Sequence, residues 1–342
     1  MDKKFDVIGV GGLIADLCVS INRLPETDGV SRMYDYLWQC GGNVPSAIAA
    51  LARLGASCSI LGTVGNDVLG RLNMDDMRRH NVDLSHMYQL DGPTTLALCL
   101  AEEETQGRSF IIRGGARREL TREEVDEAYI ASAKYLHIGM GENDLRDYAV
   151  EFAKKNDVIV SMDAGGYRPE EEEVIPFVDL FVMSEMFYNG YFKTDFEGDI
   201  EKILDNCARF LDIGPRVSIV TLGARGCAGV DKDGARFFLP PFSGHQIIDT
   251  TGAGDVYHGA FIYAHMQGWD TEYCAKFSSA VSYINCTSLG GRVGIPNRQM
   301  VDQFLNDNTI DYTDIEPRRR FYENIMRFDP GMFNQEKDSS VE

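Results

Sequence analysis

Positive charge is scarce in this chain. Thirty-three Lys and Arg stand against 53 Asp and Glu in 342 residues, a formal net charge of −20 at pH 7. A nucleic-acid partner would need a basic face that is a local exception to that field, so none is expected. There is no block of five or more basic residues. The nearest approach, Arg318-Arg319-Arg320, reads as a solvated helix end. Long apolar runs are missing too: none reaches ~18 residues, so neither a membrane helix nor a membrane partner is expected. The opening MDKKFDVIGVGG lacks the apolar core and small-residue cleavage site of a secretion signal. The eight cysteines form no C-x-x-C pair, and several sit in apolar runs. They read as reduced core thiols of a cytoplasmic protein, not as a disulfide frame or zinc site. The chain has no G-x-x-x-x-G-K-[ST], no H-E-x-x-H and no G-x-S-x-G, and its six histidines lack metal-ligand spacing. Gly9-Val-Gly-Gly12 begins like a dinucleotide fingerprint, but Ile14 stands where the third glycine belongs.

What is present is a βα rhythm in a chain that is 44% hydrophobic. Apolar strands are read at 5–10, 58–64, 135–139, 158–163, 179–184 and 217–223. Helices are read at 43–55, 67–80, 142–155, 200–211, 252–267, 271–288 and 297–305, and Thr121-x-x-Glu124 matches a capping box that opens another. CAGVDKDGARFFL reads as a hairpin with an Asp-Gly turn. Strands alternating with helices predict a three-layer α/β/α core on a mostly parallel sheet. Two stretches break the rhythm with β-rich sequence: 13–40, and 93–115 with its TTLALCLA–RSFIIR hairpin. They are expected to pair as a discontinuous β lid (13–40 and 93–115) on a core of 1–12, 41–92 and 116–310. Residues 311–342 form a C-terminal extension whose pattern weakens after Glu316.

The strongest local signal is Asp249-Thr-Thr-Gly-Ala-Gly-Asp255, directly before a helical run. A Gly-rich helix start points free N–H groups and the positive end of the helix dipole outward, which suits a phosphate. An acid in that turn, Asp255, is placed to take a proton from a hydroxyl attacking the phosphate. For an arbitrary GxGD, a plain loop with a helix-start acid is the better reading; the full run argues against it.

This run, together with GGNVPSAIAALARLG (41–55), TVGNDVLG (63–70) and VTLGARGCAGV (220–230), resembles the ribokinase-like, or PfkB, family of carbohydrate kinases. RGGARRELT (113–121) and GIP (294–296) also lie where relatives carry similar runs. The resemblance covers roughly residues 5–305. It implies a ribokinase-like fold and an ATP-dependent sugar kinase using Mg²⁺, with K⁺ dependence left open. Asp255 would be the catalytic base, and Gly252, Ala253 and Gly254 the anion hole. Asp16 would hold sugar hydroxyls, and Gly41, Gly42 and Asn43 would line the sugar pocket with Ser46, which stands where relatives carry a second Asn. Thr221, Gly223 and Gly226 would flank ATP, Ser279 would face the adenine, and Asp249 would lie near a monovalent cation. Relatives' N-x-x-E becomes Ser184-Glu-Met-Phe187 here, leaving Ser184 beside ATP and the adjacent Glu185 as the substitute magnesium ligand. Relatives often dimerise through the lid, which implies a homodimer.

Arg113, Arg117 and Arg168 lie in segments expected near the sugar, and arginine grips carboxylate, sulfonate or phosphate in a planar fork. An acidic or sulfonated sugar is therefore an alternative to a neutral one; solvated arginines are the bland reading. A nucleoside kinase, a catalytically silent sugar-binding regulator and, on Gly9–Gly12 alone, a dehydrogenase are the other readings.

Overall fold

The computed structural model describes residues 3–105, 107–116, 118, 120–141, 143–195 and 198–324. A nine-stranded sheet forms the centre. In chain order its strands are β1 (Phe5–Val10), β4 (Cys58–Gly65), β5 (Asp83–Leu90), β8 (Ala133–Ile138), β9 (Ile159–Ala164), β10 (Leu180–Ser184), β11 (Val217–Thr221), β12 (Cys227–Asp231) and β13 (Arg236–Leu239). Across the sheet they run β13-β12-β11-β10-β9-β8-β1-β4-β5. From β11 to β5 every pairing is parallel, and β12 and β13 are antiparallel. The parallel strands read as nearly unbroken apolar runs because both faces are covered. On β10, Leu180 and Val182 join one hydrophobic cluster while Phe181 and Met183 join the other.

The first cluster holds α1 (Asn43–Leu54), α7 (Ala253–Met266), α8 (Thr271–Asn285) and α9 (Arg298–Asp307). The second holds α3 (Glu127–Ala131), α4 (Asn143–Lys155), α5 (Glu185–Phe192) and α6 (Ile200–Ile213). The remaining helices, α2 (Val68–Arg79) and α10 (Ile315–Asn324), add Met74, Met77, Ile315 and Tyr322 to the first cluster. The two rhythm-breaking stretches meet in one four-stranded sheet, ordered β3 (Met33–Gly41), β2 (Ile14–Ile21), β6 (Thr95–Glu102), β7 (Arg108–Arg113). The chain thus has the predicted α/β architecture, a large mostly parallel sheet plus a smaller one.

Several local expectations are corrected. The Thr121/Glu124 capping box forms, but it closes a single 3₁₀ turn, and the short helix α3 starts from its own cap at Asp126. The helix begun at Thr271 stops at Asn285. Strand β5 and helix α5 have no counterpart in the sequence pattern, and α10 has only the helix end read at 318–320. Arg318 is no solvated helix end: it is largely buried and donates to Ile295 O. The α10 helix docks onto the body, with Tyr322 Oη donating to Asp76 Oδ1 at 2.6 Å. The eight cysteines are all buried and unbridged, as expected. No helix among the described residues is long and apolar enough to cross a membrane.

Candidate active site

The start of α1 and the start of α7 face the small sheet, and a cavity of about 240 Å³ lies between them. The small sheet contributes Ile14, Asp16, Ala97, Cys99, Phe110 and Ile112. The α1 side contributes Gly42, Asn43 and Ser46, and the α7 side Thr251, Gly252, Asp255 and Gly291. Ligands in open α/β sheets collect beyond the carboxyl ends of the strands, at helix starts such as these.

On the small sheet, Asp16 is 8% exposed. Gly41 faces it so closely that a Cβ there would fall on the Asp16 carboxylate, so any other residue would displace the acid. Gly41 therefore shapes the site from behind and is not part of the cavity wall. Burial lifts the Asp16 carboxyl; Arg292 pulls it down, Asp255 pushes it up, and it rests at about 7.

On the opposite wall, Gly252 starts α7 with φ 72°, a left-handed conformation that glycine adopts without strain. No side chain caps the first turn of α7; Ala253 N–H bonds back to Thr250 O at 3.2 Å, and the N–H groups that follow it in this turn are left for a ligand. Gly254 is exposed, and a side chain at this position would meet open space. Asp255 follows in the same turn. Burial and Asp163 raise its carboxyl, while His258, Arg108 and Arg292 oppose them, giving about 6. The loop before this turn is pinned by Asp249, whose two oxygens accept Thr251 N–H at 2.8 Å and Gly290 N–H at 2.9 Å.

The expected nucleotide residues form a second group outside the cavity. Ser184 pairs with Thr221 across β10 and β11, Thr221 pairs with Cys227 across β11 and β12, and Ser279 Oγ lies 3.8 Å from Cys227 Sγ. Gly223 and Gly226 turn the chain between β11 and β12. Ser184 caps α5 by accepting Phe187 N–H, and Glu185 pairs with Arg225. Of the predicted arginines, Arg113 and Arg168 are exposed and do not line the cavity, and Arg117 lies outside the described residues.

Three side chains near Asp255 escaped the sequence reading. Asp163 is the penultimate residue of β9, and His258 Nε2 meets its Oδ1 at 3.0 Å, with both side chains 5% exposed. Burial pushes the Asp163 carboxyl up, but His258 and hydrogen bonding to the Asn43 side chain hold it below its usual range. Next to them, burial and His258 drive the His137 imidazole down to about 3. Asp163 had a signal, an acid closing the apolar run VIVSMD at a parallel strand's carboxyl end. The third, Arg108, begins β7 and reaches the loop before α7. Arg108 sits in a polar hairpin, and nothing in the local sequence marks it.

Residues 16–298 match the model of the pfkB family of carbohydrate kinases. The 5-dehydro-2-deoxygluconokinase of Clostridium botulinum (strain Alaska E43 / Type E3) is 24% identical over 336 residues, covering 93% of this chain and 97% of that protein. The ribokinase of Haemophilus influenzae is 26% identical over 310 residues, covering 89% and 99%. The structure of Arabidopsis thaliana ribokinase complexed with ribose and ATP superposes with a TM-score of 0.76 at 24% identity, covering 89% of this chain and 99% of that one. With the family model spanning most of the sequence and the fold shared with solved ribokinases, this chain belongs to the pfkB family of carbohydrate kinases.

Proposed function

We propose that the protein transfers the γ-phosphoryl group of ATP to a hydroxyl of a sugar bound between the two walls of the cavity. The observation that carries this reading is the pairing of Asp255, in the uncapped first turn of α7, with Asp16 across the cavity on the small sheet. Asp16 accepts hydrogen bonds from sugar hydroxyls, with Asn43 and Ser46 on the neighbouring wall. The Asp255 carboxylate removes the proton of the attacking primary hydroxyl. That oxygen bonds to the γ-phosphorus as the bond to the β–γ bridging oxygen breaks, and ADP departs. The turn Gly252-Ala253-Gly254 offers the helix dipole and its backbone N–H groups to the equatorial oxygens, Ala253 N–H after leaving its bond to Thr250 O. The small sheet acts as a lid that keeps water from the phosphoryl group.

ATP lies along Ser184, Thr221, Gly223, Gly226 and Ser279. Glu185 offers the hard carboxylate oxygens that suit Mg²⁺, which when bound neutralises phosphate charge. The assignment of Asp249 to a monovalent-cation site is tested by adding K⁺. Association of two copies through the lid is supported by exposed Val30, Met33, Tyr34, Tyr36 and Ile111, and light scattering measures it.

A second reading, an acidic sugar, is favoured by Arg113, the residue after Ile112 of the cavity wall, and by a relative named for a dehydro-deoxygluconate. The experiment is ADP release with Mg–ATP across neutral pentoses and ketoses, keto-deoxy sugar acids, a sulfonated ketose and nucleosides, with and without K⁺. A sugar substrate supports the proposal, and its charge decides between the two readings. Turnover of nucleosides alone, or ATP binding without turnover of any acceptor, contradicts it.

A further inference from the structure

Strands β2 and β6 run parallel, with Asp16 opposite Ala97 and Cys18 opposite Cys99. Residues two apart on a strand share a face, so Asp16 and Cys18 point the same way, with Cys99 directly across from Cys18. One carboxylate oxygen and two sulfurs thereby gather within 4.8 Å of one another, on side chains that are all buried. We propose that Asp16, Cys18 and Cys99 form a binding site for a thiophilic divalent cation of the zinc and cadmium class, opening onto the cavity.

The donor set selects the class. Two thiolates and one carboxylate suit a borderline or soft ion, whereas Mg²⁺ and Ca²⁺ require oxygen ligands. Sulfurs at about 2.3 Å from a tetrahedral zinc ion lie about 3.8 Å apart, so groups already within 4.8 Å of one another close on it by movements of about 1 Å or less. An outer layer is already built. Gln39 Nε2 donates to Cys18 Sγ at 3.1 Å, and Gln39 Oε1 is fixed by the N–H of Arg292 at 3.1 Å. Donors of this kind orient and stabilise metal-bound thiolates. Asp16 and Cys99 line the cavity, which supplies an entry path and leaves a fourth ligand position open to water.

Binding takes up the two thiols as thiolates. The cation displaces the two thiol protons to solvent and forms two metal–sulfur bonds and one metal–oxygen bond. The resulting net charge of −1 lies in the field of the buried Arg292 guanidinium, which already acts on Asp16. One consequence rests on the sugar-kinase reading: Asp16 cannot hold the metal and the sugar together, so the ion competes with the sugar.

The test is titration of the metal-free, reduced full chain with Cd²⁺ alone, following the ultraviolet cadmium–thiolate band and proton release. One equivalent of cadmium should develop the band and release two thiol protons, together with the fraction of a proton that the Asp16 carboxyl, at about 7, still holds at the working pH. Cys18→Ser and Cys99→Ser should each lose the response at equimolar metal, Asp16→Asn should weaken it, and Gln39→Met should weaken it by about tenfold or more. Cys58→Ser, on the central sheet, should keep it. Each variant is used after its thermal melt matches a folded protein, and wild-type proton stoichiometry provides a readout that needs no variant. No band at stoichiometric metal, or a band that survives loss of both Cys18 and Cys99, overturns the site. A site that binds cadmium as described but is indifferent to saturating sugar leaves the metal proposal standing and refutes the placement of sugar on Asp16.

Discussion

Arg108 Nη1 donates to Thr250 Oγ1 at 3.0 Å, tying the edge strand of the small sheet to the loop that opens the helix of Asp255. In a chain of charge −20, this brings a guanidinium beside the turn proposed to receive phosphate. The Asp255 carboxyl already responds to it. Arg108→Ala should lower kcat by about 10²-fold, as expected when one donor to developing charge is lost. Arg108→Lys should recover only part of this, because a point charge replaces a planar fork. Steady-state kinetics on folded variants check both, and unchanged kcat in the alanine variant would remove Arg108 from the reaction.

The pair His258–Asp163 predicts the shape of the pH profile. Activity requires the Asp255 carboxylate, so kcat should fall as pH drops through about 6. His258 pulls that carboxyl down. His258→Asn should therefore move the acidic limb to higher pH, and a profile lowered uniformly with its limb unmoved would make His258 a packing residue only.

The same group links pH to stability. Its folded pKa, about 6, lies above the ordinary 3.8, so the folded state binds this proton more tightly than the unfolded state. The contribution is fully present below about pH 4 and is lost as pH rises through about 6. Asp255→Asn should melt higher than wild type at neutral pH and lose that advantage at acid pH. Equal melting temperatures across the range would contradict the burial assigned to Asp255.

Behind the site, Arg292 is 0% exposed and its Nη1 lies 3.4 Å from Asp76 Oδ2, while Tyr322 of α10 donates to the other Asp76 oxygen. Removing one member of a buried pair strands the other charge. Arg292→Met should destabilise by about 3–5 kcal/mol. Tyr322→Phe removes one hydrogen bond to a carboxylate and should cost about 1.5–3 kcal/mol. Chemical denaturation measures both.

The residues legible in sequence were those whose local pattern carries the chemistry. DTTGAGD announces a helix start, an acid and a glycine cradle within seven residues, and the strands 5–10, 158–163 and 179–184 announce themselves by apolar runs. The small sheet was legible as two breaks in the βα rhythm, although its strands are some 80 positions apart by number. What stayed hidden depends on side chains meeting across elements. His258 has no meaning until β9 brings Asp163 to it, and Cys18 and Cys99 pair only through the register of β2 with β6. Strand β5 was missed because DLSHMYQL, at a sheet edge, lacks an apolar run. Helix α10 carries only two buried residues, Ile315 and Tyr322, too few to mark a periodic face.

The central claim, that Asp255 removes the hydroxyl proton, is tested most directly by measuring turnover and ATP affinity together for Asp255→Asn. The substitution keeps the size of the side chain and removes the base. Turnover should fall by about 10²–10⁴-fold, with ATP binding retained and the fold intact. Near-normal turnover in a folded, ATP-binding variant would contradict the account.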